Sequence, residues 1–453
     1  VISSLIGDSA RSVALPAVKR AAGVVTRILP IPQPTLLVGP GSSARLGQAV
    51  GGFGHRRVLI VTDGMISKLG LLKPLTDALA AGGTSFTVFD EVTPDAPIPV
   101  IEKGIEVFKA EDADAIVAFG GGSVMDAAKV IGLAAANDRH PRSLVGYFRA
   151  LRGPVPIYAV PTTAGTGSEV TVAAVISDPV NEKKLVIADT RIVPKMAALD
   201  PLLMVGLPKP VTAATGMDAL THAVEAYIGY WNTGYSDRMA LSATAMIFEN
   251  LPLAYNDGAS LAAREKMALA STYAGLAFTR ANVGNVHAIA HQLGGKYHTP
   301  HGLANAIMLP QVLRFSSGEI TGKLAALAVR AKVGNEGESE QELADRFLDA
   351  VENLAASVGI PHTLDALRER DIPALAEAAC WEADTNYPVP RRMTQADCEA
   401  MLRAVLPEEK PAPEAEKPRK APRARTAARK TGAAADVAAK APRRKAARSG
   451  KSK

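Results

Sequence analysis

Between about Pro34 and Asp200 short β-branched runs alternate with stretches of helical periodicity, and after Pro208 and Pro210 the strands stop. TLLVG, RRVLIVTD, SFTVFDEV, DAIVAFGGG and VPIYAVPTT read as strands, because Val, Ile, Thr and aromatic side chains suit a pleated surface. KPLTDALAA and VIEKGIEVFKA, lying between them, repeat their apolar residues at helical spacing. Such alternation implies a mainly parallel sheet with helices on both faces, since parallel neighbours need a crossover connection. TVAAVISDPVNEKKLVIA reads instead as a hairpin turning between Asp178 and Glu182. From Val211 to about Leu406 the pattern is helical. The expected fold is an α/β N-terminal domain over residues 31–208, followed by an all-α C-terminal domain over residues 209–407.

Both ends differ in kind from this body. From Glu408 to Lys453 there are 15 Lys/Arg and 5 Asp/Glu, which leaves the body at −4 although the whole chain carries +6. That tail is Lys, Arg, Ala and Pro, too poor in apolar groups to offset its ordering entropy, and disorder over 408–453 is expected. Basic charge on such a segment attracts polyanions by counterion release, so residues 410–453 could tether nucleic acid or an anionic surface non-specifically. A solvated tail with no partner is the alternative. Residues 1–30 are rich in bases and poor in acids, which suits an amphipathic surface helix, with an organelle transit peptide as a second reading. Asp8, Arg11 and Pro16 interrupt any secretory signal. No apolar run is long enough to span a bilayer. The two cysteines, Cys380 and Cys398, imply neither a metal pair nor a disulfide framework, and a reducing cytoplasm is the simplest setting.

Chemistry concentrates in the helical part. Of eight histidines in the chain, His287, His291, His298 and His301 fall in GNVHAIAHQLGGKYHTPHG. His222 follows Asp218 by four residues in GMDALTHAVEAY, so the two share one helix face. His287 and His291 repeat that spacing on a helix expected to end at Gly294–Gly295, after which the chain can turn and bring His301 back. Asp218, His222, His287 and His301 would supply one oxygen and three nitrogen ligands to a divalent metal and leave room for a substrate oxygen. A lone Asp/His pair would more often be a helix-surface contact; the second cluster shifts the balance. His298 has the weakest case and could simply bond a loop carbonyl.

Two loops of the sheet part suit a nucleotide. DAIVAFGGGSVMDAAK is strand, glycine turn and helix, and a helix N-terminus offers free N–H groups to phosphate. A tight turn without a ligand is the alternative reading. The G-x-G-x-x-G fingerprint is absent, and Ser123 with Asp126 fits a capping box. In VPIYAVPTTAGTGSEVT, Thr162, Thr163, Thr166 and Ser168 crowd a loop with two glycines, where hydroxyls could meet phosphate, ribose or nicotinamide. Asp63 ends RRVLIVTD; its carboxylate could accept from ribose hydroxyls and favour NAD over NADP, or cap a helix.

GGGSVMDAAK, PTTAGTGSEVT, GMDALTHAVEAY and GNVHAIAHQLGGKYHTPHG, in this order and spacing, resemble the iron-containing (group III) alcohol dehydrogenase family over about Ile31 to Leu406. TNYPVPRRMT is similar to the family's Asn-Pro-Arg segment. The resemblance implies a dinucleotide-binding α/β domain facing a helical metal-binding domain. It implies an NAD-dependent oxidoreductase acting on a primary alcohol or aldehyde, and often a dimer or larger homo-oligomer. Asp218, His222, His287 and His301 would hold the metal, usually iron and sometimes zinc or another. His291 would lie near the nicotinamide and is the catalytic candidate for proton relay. Gly121, Gly122 and Ser123 would contact the pyrophosphate, Thr162, Thr163 and Thr166 would line the cofactor cleft, and Lys184 would lie near the ribose. Asp63 stands where the family often keeps an acid for NAD. Maleylacetate reductases, glycerol dehydrogenases and dehydroquinate synthases share the scaffold; the full Asp/His/His/His set favours the alcohol dehydrogenase branch.

Overall fold

In the computed structural model the described residues are 19, 23, 24, 26–181 and 183–407. The expectations for residues 1–18 and for the basic tail 408–453 lie outside them. Described positions between Lys19 and Ile28 are helical.

The sheet is built by strands β1 (Thr35–Val38), β2 (Arg57–Val61), β3 (Ser85–Phe89), β4 (Ala115–Gly120), β6 (Ile157–Pro161) and β9 (Met196–Leu199). Their spatial order is β1-β9-β6-β4-β2-β3, with every neighbouring pair parallel. Alternate side chains go to opposite faces. Val58, Ile60, Val117 and Phe119 meet Leu46 and Val50 of helix α1 (Ser42–Gly52) and Leu75 and Leu79 of α3 (Lys73–Ala81). Leu59, Val61, Ile116 and Ala118 meet Ile101 and Phe108 of α4 (Ile98–Ala110) and the apolar face of α5 (Gly122–Asn137). Burial on both faces explains why β2 and β4 read as continuous apolar runs. The short helix α2 is Gly64–Lys68.

The hairpin expected near Asp178 is present as β7 (Ala173–Asp178) antiparallel to β8 (Lys183–Ala188), joined at its edge by the two-residue β5 (Gly146–Tyr147). Neither β5 nor β9 was legible in the sequence. MAAL has the composition of a helix, and only its pairing with β1 and β6 makes it a strand.

After β9 the named elements among the described residues are helical: α6 (Lys209–Ile228), α7 (Gly234–Asn256), α8 (Leu261–Ala281), α9 (Asn285–Tyr297), α10 (His301–Arg330), α11 (Glu340–Ser357), α12 (Ile372–Asn386) and α13 (Gln395–Ala404). Pro210 falls in the first turn of α6, where its missing N–H costs nothing. From Gly216 to Ala226 every residue of α6 is buried, so α6 is the central helix of this half. Its apolar neighbours come from α7, α8, α9 and α10. Capping boxes start α7 (Thr233/Ser236), α11 (Ser339/Glu342) and α13 (Thr394/Asp397). Sheet and helices belong to one compact unit that ends at Pro407. Among the described residues no helix is long and apolar enough to cross a membrane.

Two local expectations are corrected. Helix α9 runs past Gly294–Gly295 to Tyr297, where His298 takes the left-handed conformation (φ 54°) and closes the helix. Ser123 and Asp126 form no capping box. Gly121 is the N-cap of α5 and no side chain caps it. Ser123 Oγ accepts instead from the Asp95 N–H (3.1 Å), and Asp126 turns to Ser168 Oγ (2.8 Å) and the Val175 N–H (2.9 Å).

Candidate metal centre and the adjoining glycine cleft

Asp218 and His222 lie one turn apart on α6, His287 near the start of α9, and His301 at the first position of α10. Each offers one ligand atom, and the four atoms lie within 4.8 Å of one another. Gly302 makes the approach possible: a Cβ there would come within 2.5 Å of the Ala214 carbonyl oxygen on α6. The ring of His222 stacks on Phe278, centroids 4.4 Å apart, which fixes its plane.

The electrostatics suit a cation. Burial pushes the Asp218 carboxyl up, but His222, His301, His287 and the Asn305 amide outweigh it, and the group is held below the usual carboxylate range. Burial drives His287 and His301 well below the ordinary imidazole value, so both are neutral and carry lone pairs. His287 Nδ1 is 2.6 Å from Glu225 Oε2, and Glu225 also accepts from the N–H groups of Gly284 (2.8 Å) and Val286 (2.7 Å). A carboxylate accepting at Nδ1 leaves Nε2 as the lone-pair nitrogen and fixes the ring, the usual device behind a metal-ligating histidine. Burial raises the Glu225 carboxyl to about 7 against the pull of those backbone donors. His222 Nδ1 is buried without a hydrogen-bond partner. An orphaned nitrogen beside an ionised carboxylate and two neutral imidazoles is costly unless an electrophile completes the set. One oxygen and three nitrogen donors therefore fit a divalent transition metal.

His291, one turn after His287, stacks on His301 with centroids 5.4 Å apart. Its Nδ1 is 2.6 Å from Glu382 Oε1 on α12, and that oxygen also accepts from the Tyr387 hydroxyl (2.6 Å). Gln292 donates to the other Glu382 oxygen (2.7 Å). His298 is exposed and stands outside the cluster.

The glycine loop and the threonine loop meet at the carboxyl ends of the adjacent strands β4 and β6. The Thr162 N–H donates to the Gly120 carbonyl (3.0 Å). A Cβ on Gly121 would lie 3.3 Å from Thr163 Oγ1, and one on Gly122 only 2.7 Å from Thr166 Cγ2. Asp63 sits at the end of β2, on the far side of β4, as N-cap of α2, its Oδ1 accepting from Met65 and Ile66 N–H. The chain runs from β2 out to β3 and returns with β4 on the other side of β2. A crevice outside the strand ends at such a reversal is where open parallel sheets bind ligands. Lys184 on β8 pairs with Asp95 (2.9 Å), whose own N–H bonds Ser123, so Lys184 and Ser123 share one partner.

Sequence reasoning missed the polar layer beneath the threonine loop. Lys129 is 1% exposed, and its ammonium donates to Ser168 Oγ, Thr171 Oγ1 and the carbonyls of Thr171 and Ala173 at 2.8–3.1 Å. Burial lowers its pKa to about 8, against the opposing charges of Asp126 and Glu169. Glu169 in turn accepts from Thr272 on α8 (2.6 Å), and the Gly167 N–H donates to Ser271 (3.2 Å). Gly165 presses on Thr215, three residues before Asp218. Through these contacts the loop is fastened to α8 and to α6, the helix that carries Asp218 and His222. Glu225 and Asn305 were also missed, although each lies one turn after a candidate ligand, His222 and His301. Glu382 and Tyr387 gave no local signal.

A family model described as "Iron-containing alcohol dehydrogenase" matches residues 33–201, and one described as "Fe-containing alcohol dehydrogenase family, C-terminal" matches residues 212–406. The 1,3-propanediol dehydrogenase of Citrobacter freundii is 40% identical over 370 residues, covering 81% of this chain and 95% of that protein. The NAD-dependent methanol dehydrogenase of Bacillus methanolicus is 36% identical, covering 82% and 98%. Among solved structures, a 1,3-propanediol oxidoreductase superposes with a TM-score of 0.81 at 37% identity, over 84% of this chain and all of that one.

Proposed function

The chain belongs to the iron-containing alcohol dehydrogenase family, an alcohol oxidoreductase family, and from that premise we propose how its residues divide the work. Asp218, His222, His287 and His301 hold a divalent metal, iron first and zinc or another next. Residues 31–208 carry the NAD site and residues 209–407 the metal site. The observation that carries the metal assignment is the convergence of four potential ligand atoms within 4.8 Å, on three buried side chains and the half-buried His301.

A metal there supplies Lewis acidity to an alcohol or carbonyl oxygen, and bound NAD accepts or supplies the hydride. The protein's own part is binding, orientation and proton handling. Gly121, Gly122 and Ser123 bring the α5 N-terminus close to the cofactor pyrophosphate. Thr162, Thr163 and Thr166 line the cleft beside it. Asp63 accepts from the ribose and disfavours a 2′-phosphate, and Lys184 closes the ribose side. His291 is the proton relay: Glu382 accepts at Nδ1, which leaves Nε2 free to take the alcohol proton or return it. Apolar packing around α6 shields Asp218, His222 and His287 from bulk water and leaves His301 as the open side of the set.

Primary alcohols and diols are the proposed substrates. The relatives named for 1,3-propanediol and methanol, and a 38% identical lactaldehyde reductase of Escherichia coli, support short ones. Anaerobically purified protein, reloaded with ferrous iron or zinc and given NAD with such a panel, should form NADH only when metal is present. Metal-bound protein inactive across the panel would contradict the reading and point to carboxylated or keto substrates. A homodimer or larger assembly, a cytoplasmic location and a polyanion tether at residues 410–453 complete the proposal, the tether resting on the +10 charge of 408–453.

A further inference from the structure

Asn305 lies one turn after His301 on α10 and is fully buried. Its amide nitrogen is 2.7 Å from Asp218 Oδ1, 3.1 Å from His301 Nε2 and 3.2 Å from His287 Nε2. One NH2 group thus touches three of the four ligand side chains at their lone pairs. Its carbonyl oxygen is buried and has no hydrogen-bond partner. An amide kept at this point with half its polar capacity unmet is not explained by packing, which an apolar side chain of the same shape would satisfy.

We propose that Asn305 is a positioning residue for the metal. Its amide is the donor that holds the Asp218, His287 and His301 lone pairs converged on one place. Without a donor, a carboxylate oxygen and two neutral imidazole nitrogens so close together repel one another. An amide nitrogen has two hydrogens for these three acceptors, so the contacts are shared. A carboxylate oxygen has two lone pairs and an imidazole Nε2 only one. A cation must therefore displace the amide from both histidines, whereas Asp218 can keep its hydrogen bond and still ligate. Asn305 organises the set before loading and orients Asp218 after it. This rests on the metal-site reading above.

The test uses full-length wild-type protein with Asn305→Ala and Asn305→Leu, the second nearly isosteric and without donors. Each is stripped of metal, checked by circular dichroism and thermal melting, and titrated with Zn2+ against a chromophoric chelator. Co2+ absorption bands report the ligand geometry. The expected result is native far-UV spectra with metal affinity weakened on the order of 10- to 100-fold, the range for partners that orient ligands, and shifted Co2+ bands in both variants. Wild-type affinity and Co2+ bands in either folded variant would overturn the inference. Failure of the wild type itself to take up an ion would overturn the metal-site reading instead, and is seen before any variant is made.

Discussion

At the ends of β4 and β6 the chain offers backbone N–H groups and small hydroxyls on tight loops, whereas α6, α9 and α10 offer three imidazoles and a carboxylate on packed helices. The sheet side works by what it lacks. A methyl group on Gly122 would strike Thr166, so the space near the strand ends is kept by absence of side chains. The helical side works by what it buries: Asp218 and His287 are each 2% exposed, burial keeps His287 neutral, and the surrounding histidines and Asn305 keep Asp218 ionised against burial. Crowding should therefore damage the first region, and loss of a donor atom the second. The polar layer at Lys129 joins them: Lys129 and Asp126 hold the threonine loop by five contacts, and Glu169 and Gly167 of that loop bond Thr272 and Ser271 on α8.

The comparison breaks most visibly at a ligand. His287→Ala should lose bound metal and lower alcohol-dependent NADH formation by more than about 100-fold, beyond the range of orienting partners. Metal analysis beside steady-state kinetics checks this, and retention of metal with full activity would remove His287 from the set. Lys129→Met leaves Asp126 and Glu169 buried without their cation and should destabilise the protein by about 3 kcal/mol in denaturant unfolding. The pH dependence has a definite sign. An ammonium with a folded pKa near 8, against 10.5 when exposed, binds its proton more weakly in the native state. Its contribution to stability therefore rises with pH between those two values. Wild type should gain stability relative to Lys129→Met between pH 8 and 10.5; parallel curves would show that Lys129 does not titrate there.

Gly122→Ala tests the sheet side. Its methyl group would sit 2.7 Å from Thr166 Cγ2, so the two loops must part. The expected effect is a KM for NAD raised roughly tenfold, within the usual 1–3 kcal/mol of overpacking, with metal content unchanged. A fall in metal content equal to that in His287→Ala would dissolve the distinction between the two regions. The smallest effect on catalysis is expected from deleting 410–453. Activity with NAD should be unchanged, while salt-dependent retention on DNA should disappear; equal retention of both proteins would remove the tether.

Much of the candidate site was legible because its residues come in helical pairs. Asp218/His222 and His287/His291 each share a face at a spacing of four; Asn305 follows His301 at that spacing, and Glu225 follows His222 at three, which also keeps it on the same face. The rule cannot tell which member of a pair joins the cluster. His291 matches His287 in type and spacing, yet it stacks on His301 and turns to Glu382, about ninety residues downstream on α12. Ser123 and Asp126 matched a capping box, but competing tertiary partners, the Asp95 N–H and Ser168, took both side chains. β9 was hidden because MAAL has no strand propensity of its own and owes its conformation to flanking β1 and β6.

Periodicity and residue chemistry are properties of the chain alone. They determined a parallel α/β half followed by a helical half, a glycine turn after β4, and a store of imidazoles on helices. Only the tertiary structure decided that α6, α9 and α10 cross where four donors meet, with Glu225 behind one and Asn305 among three. Convergence within a few ångströms depends on how helices pack, through contacts such as Gly302 on Ala214 that join residues nearly ninety positions apart. No local spacing encodes that.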